Sequence, residues 1–133
     1  MSGQDRELAA AFGEDWEERL GGTYREMLGE VPPHVRERWA AVGAVGRPEL
    51  IEAIEGLRAV AIADNPLGLR VQQLVQFGQL LVLGHEGPAR LHAGAALRQG
   101  ASLADLLGVA ETAFITAGVA AFSLGVRLVD ELR

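Results

Sequence analysis

The sequence predicts an all-α fold of about six to eight helices, and three observations support that prediction. Apolar residues recur at three- and four-residue spacing along nearly the whole chain, whereas no segment alternates as a strand does. Gly and Pro punctuate the pattern at short intervals, which implies short connections between helices. Of the 133 residues, 49% are hydrophobic, enough for a folded core within one ordinary domain spanning residues 1–133.

Each element has its own justification. Asp5 to Leu20 forms the first helix, with Leu8, Phe12, Trp16 and Leu20 four apart on one stripe. The glycines of "LGG" end it. A short helical piece over Thr23–Leu28 stops at Gly29, and "VPP" forces an extended turn. Pro33 opens a helix bearing Val35, Trp39 and Val42. Pro48 then occupies the first turn of the next, which directs Leu50, Ile51, Ile54, Leu57, Val60 and Ala61 inward until "DNP" stops it.

A fifth helix over about 67–83 offers Val71, Leu74, Val75, Leu81 and Val82 to the core. It also bears Gln72, Gln73, Gln76 and Gln79, with Arg70 as its only charge. That amide stripe is either a solvated face or, as its lack of charge suggests, a pocket wall or subunit contact. Gly84, Gly87 and Pro88 turn the chain into a sixth helix, about Pro88 to Gln99, with "AGAA" inside and Gly100 as its stop. Ser102 and Asp105 form the capping-box start of a seventh, to about Thr116. Gly118 bends the chain into a last helix ending in "RLVDELR".

Composition excludes several function classes. The net charge of −6 repels phosphate backbones and argues against nucleic acid as a partner. The absence of cysteine removes disulfides, thiolate metal sites and cysteine nucleophiles. The polar, acidic N-terminus lacks the basic and apolar regions of a signal peptide. The most apolar run, Thr112–Val126, is short for a bilayer span and is interrupted by Gly, Ser and Thr. A cytoplasmic protein with no membrane partner is expected. With 17 glycines and only seven aromatic residues, the core is thin, which favours a homo-oligomer.

The chemistry concentrates in "LGHEGPARLH", which holds two of the three histidines. His85 and His92 stand seven residues apart, on the order of 10 Å along a helix, too far for both to bind one metal at N–metal distances near 2 Å. No metal site is expected. His92 has small or neutral neighbours, Ala89, Ala95, Ala96 and Gln99. It is either an acid/base group able to exchange a proton near neutral pH or a core histidine satisfied by one hydrogen bond.

Residues 65–132 also follow an ordered set of short motifs. These are "LH" at Leu91–His92, "ALRQGAS" at Ala96–Ser102 and "AGVAA" at Ala117–Ala121. In that order they resemble the carboxymuconolactone decarboxylase family, which includes the alkyl-hydroperoxidase D-like proteins. The resemblance implies an alkyl-hydroperoxidase D-like helical bundle, assembled as trimers or hexamers, with active sites near subunit contacts. It places the peroxidase branch's two cysteines at His85 and Pro88, so thiol peroxidase chemistry is absent. The histidine shared with the decarboxylase branch falls on His92. The glutamate of the family's R-E-L motif falls on Gln73, which cannot titrate but can orient a substrate. The family's helix-capping Asp falls on Gly68, the proline of G-x-P-A on Ala120, and an acid of the capped helix on Gly108. Glu111 stands where the family prefers an apolar residue; it either supplies the carboxylate missing at 73 or is a surface glutamate. Glu86 matches an acid of the decarboxylase branch, and it also suits a helix N-terminus.

The resemblance implies a cofactor-free lyase or isomerase acting on a small cyclic or β-keto-like carboxylate, with Gln73 disfavouring the standard muconolactone substrate. His92, His85, Gln73 and Glu111 are the candidate catalytic residues. Glu86, Gln76 and Arg70 are the candidate substrate-binding residues, and Arg90 and Arg98 are further cations that can meet a carboxylate. The alternative is a catalytically inactive member that binds small molecules or serves as a scaffolding oligomer.

Overall fold

The computed structural model describes all of residues 1–133, as eight α-helices without a strand. They are α1 (Gly3–Phe12), α2 (Trp16–Leu28), α3 (Pro33–Ala44), α4 (Pro48–Ala63), α5 (Leu69–Leu83), α6 (Glu86–Arg98), α7 (Leu103–Ala117) and α8 (Val119–Leu132). The sequence shows no linker beyond the "DNP" stop, yet the helices group into two compact units, Met1–Asp64 and Asn65–Arg133. No helix is long and apolar enough to cross a membrane.

In the first unit, α1 opens with a capping box. Asp5 N–H donates to Ser2 Oγ at 3.0 Å, and Ser2 N–H donates to the Asp5 carboxylate at 3.3 Å. The helix expected over Asp5–Leu20 is instead broken at Gly13, whose φ of +95° suits glycine and few other residues. Conversely, α2 runs unbroken through Gly21–Gly22. Gly21 is there for proximity: a Cβ at that position would stand 2.7 Å from Val31 Cγ2. The core centres on fully buried Trp39. Trp16 meets it edge-on at 6.4 Å between centroids and Tyr24 at 5.8 Å.

The facing of α4 departs from the sequence expectation, which holds only at Ile51. Ile51, Glu55 and Ile62 are buried, whereas Leu50, Ile54, Leu57, Val60 and Ala61 are exposed. The cause is Glu55, which α4 turns into the first unit. Tyr24 OH donates to its Oε1 at 3.1 Å and Trp39 Nε1–H donates at 3.2 Å. Arg58 Nε lies 3.3 Å from its other oxygen. These partners offset the cost of taking a carboxylate out of water. Burial of its own phenol, reinforced by the Glu55 charge, pushes the Tyr24 pKa up to about 12.

In the second unit, α5 packs on α6 and α7, and α8 packs on α7. Gly84, with φ of +75°, ends α5. Helix α6 begins at Glu86, two residues earlier than expected. Pro88 fits inside its first turn because an N–H there has no intrahelical acceptor. Ser102 and Asp105 form the expected capping box on α7. The core combines Phe77, Leu81, Leu106 and Leu128 with alanines from α6, α7 and α8. Small residues draw the helices together: a Cβ on Gly125 would stand 2.6 Å from Ala110 Cβ. Here too one face was misplaced by periodicity. Phe77 and Gln73 are buried, whereas Val75 and Val82, expected in the core, are exposed.

Candidate functional site

Helices α5 and α6 form a hairpin that brings residues nineteen apart in sequence into contact. From α5, Gln73 points into the unit and is 0% exposed. From α6, half-buried His92 places Nδ1 2.6 Å from Gln73 Oε1. The Gln73 amide is oriented from its other end, where Nε2 donates to Gln76 Oε1 at 3.0 Å. Gln76 is half-buried one turn along α5. The sequence candidates Gln73, Gln76 and His92 are thus one hydrogen-bonded series.

This series determines what the imidazole can do. With Gln73 Oε1 as acceptor, His92 Nδ1 bears a hydrogen. In the neutral ring, Nε2 then holds the lone pair; in the imidazolium, it holds the second N–H. The ring is therefore oriented for proton exchange at Nε2. A carboxylate at position 73 would both orient the ring and stabilise its cation; an amide orients it without adding charge. Burial of Gln73 strengthens the contact, since no water competes for Oε1. On α6 the histidine is flanked by buried Ala89, Ala93, Ala95 and Ala96.

The remaining candidates lie elsewhere. None of His85, Glu111, Arg70 or Glu86 hydrogen-bonds to Gln73 or His92. His85 is exposed at the N-cap of α6 and makes no side-chain cap. Glu111 is exposed on α7. Arg70 is exposed at the start of α5, where its charge adds to the Ser102 hydrogen bonds that lower the Asp105 pKa. Glu86 is committed to an ion-pair network. It accepts from Arg127, and from Arg90 at 2.9 Å, and these two guanidiniums hold its pKa below the usual value. Arg90 also donates to both carboxylate oxygens of Glu131, at 2.8 and 3.1 Å. The network ties α6 to α8 at the surface.

Two features were missed in the sequence. One is buried Glu55, whose signal is its place on the same helical face as Ile51 and Ile62. The other is a cleft of about 570 Å³ between α5 and α7, lined mainly by apolar side chains including Val71, Leu74, Val75 and Val109. It lies across α5 from Gln73, because Val71, Val75 and Val82 occupy the opposite helical face. The signal for it is Gly78 on α5 together with Ala104, Gly108 and Thr112 four apart on α7.

The carboxymuconolactone decarboxylase family model matches residues 48–131, which is most of the chain. The chain belongs to this family. The eight-helix architecture accords with the family's alkyl-hydroperoxidase D-like helical fold. No curated protein and no solved structure matches the chain. The carboxymuconolactone decarboxylase match contains His92, Gln73 and Gln76. It begins at Pro48 and so includes α4 as well as α5–α8.

Proposed function

We propose that the protein is a lyase or isomerase, working without a cofactor, that acts on a small cyclic or β-keto-like carboxylate, with His92 as its proton-transfer group. The observation carrying this reading is the 2.6 Å contact between His92 Nδ1 and buried Gln73 Oε1, within a segment that matches the carboxymuconolactone decarboxylase family. In the decarboxylation, the C–C bond to the carboxylate breaks and CO2 leaves. The bonding pair remains on the substrate as an enolate or dienolate. The His92 imidazolium stabilises that charge and then delivers the Nε2 proton to carbon, leaving a neutral ring that water reprotonates. Gln73 is a positioning residue, and Gln76 fixes the Gln73 amide. The same proton exchange, without loss of CO2, serves an isomerase.

Substitution of an amide for the family's carboxylate at position 73 favours a second reading, a member that binds small carboxylates without converting them. The two separate in one experiment. The protein is incubated in D2O with a panel of cyclic and β-keto carboxylates, and CO2 release and deuterium on product carbon are followed by NMR. Turnover with deuterium incorporation is expected. Ligand-induced thermal stabilisation without turnover across the panel would favour the binding protein.

A further inference from the structure

Glu55 is the one charged residue buried in the chain, and it faces two cations at once. Its Oε1 is engaged from the interior, by Tyr24 OH and Trp39 Nε1–H. From the solvent side, Arg58 on α4 places Nε 3.3 Å from Oε2, and Arg38 on α3 places Nη2 4.0 Å from Oε1. The Glu55 side chain is 5% exposed, whereas those of Arg58 and Arg38 are 36% and 44% exposed. The carboxylate is thus closed off from water while both guanidiniums reach it.

The charges of this cluster do not balance. Glu86 in the second unit also serves two arginines, but Arg90 has Glu131 as well, so two cations there meet two carboxylates. Glu55 is the only carboxylate within 4.0 Å of either Arg38 or Arg58. Nor does it saturate them. Arg58 Nε is buried yet makes no hydrogen bond, and at 4.0 Å Arg38 is too distant for one. The approach through Nε leaves the two-pronged Nη edge of Arg58 for another acceptor. Arg58 is also held in place, its guanidinium 5.5 Å over the Tyr24 ring. Burial and the Glu55 charge raise the Tyr24 pKa, and the Arg58 and Arg38 charges act against them, so all four groups lie within electrostatic reach of one another. A guanidinium fixed in this way loses little freedom on binding, and its planar fork matches an oxyanion. The other carboxylates of α4 do not oppose such a ligand, since Glu49 pairs with Arg47 and Glu52 with Arg19.

We infer that Arg38 and Arg58 form a binding site for a small oxyanion, a carboxylate or a phosphate, seated across the two guanidiniums at the surface of the first unit. The incoming charge supplies the second anion that the cluster lacks. Glu55 acts from behind as a buried anchor that sets the Arg58 fork. Helix α3, which carries Arg38, lies outside the family match, and the site does not depend on the chemistry proposed at His92.

The test is a titration of the full chain with inorganic phosphate and, separately, with acetate, at constant ionic strength, followed by NMR at the arginine Nε–H resonances. The Arg58 and Arg38 signals should shift together and saturate at one ligand per chain, and the thermal midpoint should rise with ligand concentration. Saturation with either anion supports the site, and saturation with one alone names the class of its ligand. Arg38→Gln should weaken binding by about tenfold or more. Arg25→Gln, which removes an exposed arginine paired with Glu17, should leave binding unchanged. Circular dichroism verifies the fold. Arg58→Lys, which keeps the charge but loses the fork, should also weaken binding and replaces Arg38→Gln if that variant misfolds. Shifts that never saturate, or that exposed Arg25 and Arg98 share equally, would be ordinary counterion screening and would overturn the inference. So would a folded Arg38→Gln variant that binds as tightly as wild type.

Discussion

His92 Nδ1 and Gln73 Oε1 lie 2.6 Å apart, and the amide side of that contact is fully buried. The histidine is thereby oriented by a neutral partner. This distinguishes the site from one in which a carboxylate holds the ring, and it makes the effect of restoring the charge predictable.

Gln73→Glu should raise the His92 pKa relative to wild type, because a carboxylate ionised beside the ring favours the imidazolium. The NMR titration of the His92 ring in the two proteins measures this directly. A proton-transfer role further predicts that the pH–rate profile moves upward with it, a change that a purely structural histidine would not produce.

The single tyrosine makes Tyr24 readable by ultraviolet absorbance. Burial, then the Glu55 charge, raises its pKa to about 12. An unfolded tyrosine titrates near ~10. Below that value the phenol is protonated in both states, and its contribution to stability is complete. Between about 10 and 12 the unfolded chain loses the proton while the folded chain keeps it. Stability should therefore fall as pH rises through this window. Tyrosinate formation at the ordinary value in the folded protein would contradict the burial of Tyr24.

Glu55→Ala should cost about 2–4 kcal/mol, since it strands the Tyr24 hydroxyl and the Trp39 N–H inside the first unit and leaves Arg58 without its closest carboxylate. Urea unfolding monitored by tryptophan fluorescence measures the loss. A cost within about 0.5 kcal/mol, the range of ordinary surface changes, would show that the cluster is not structural.

Gly125→Val tests the close approach of α8 to α7. The new side chain meets Ala110 Cβ and Leu81 Cδ1, which would stand 2.6 and 3.0 Å from its Cβ. Overpacking of this kind costs about 1–3 kcal/mol. Thermal unfolding should show the midpoint falling. The gain in helix propensity over glycine, at most ~1 kcal/mol, is too small to reverse the sign.

The helical class was legible because apolar spacing and Gly/Pro stops are local signals, and the capping box at Ser102–Asp105 lies where the sequence places it. The facing of α4 and α5 was not. Both helices are apolar on more than one side, so periodicity identifies the helix without saying which stripe is covered. On α4 the decision rests with Glu55, which finds its donors on α2 and α3, 31 and 16 residues away. Gly13 and Gly21 show the same limit: one ends a helix and the other permits a close contact, and only the neighbouring chain tells them apart. At the site, His92 was legible from its place among ordered motifs. Its contact with Gln73 depends on how the α5–α6 hairpin closes. The exposure of Glu111 and the pairing of Glu86 with Arg127 depend likewise on tertiary placement.

The central claim is that His92 moves the proton. Its most direct test is the rate of CO2 release and carbon deuteration by His92→Ala against wild type, on whichever carboxylate the wild-type protein converts. The account predicts a fall of about a hundredfold or more, with the fold intact by circular dichroism. A variant that turns over at the wild-type rate would contradict it.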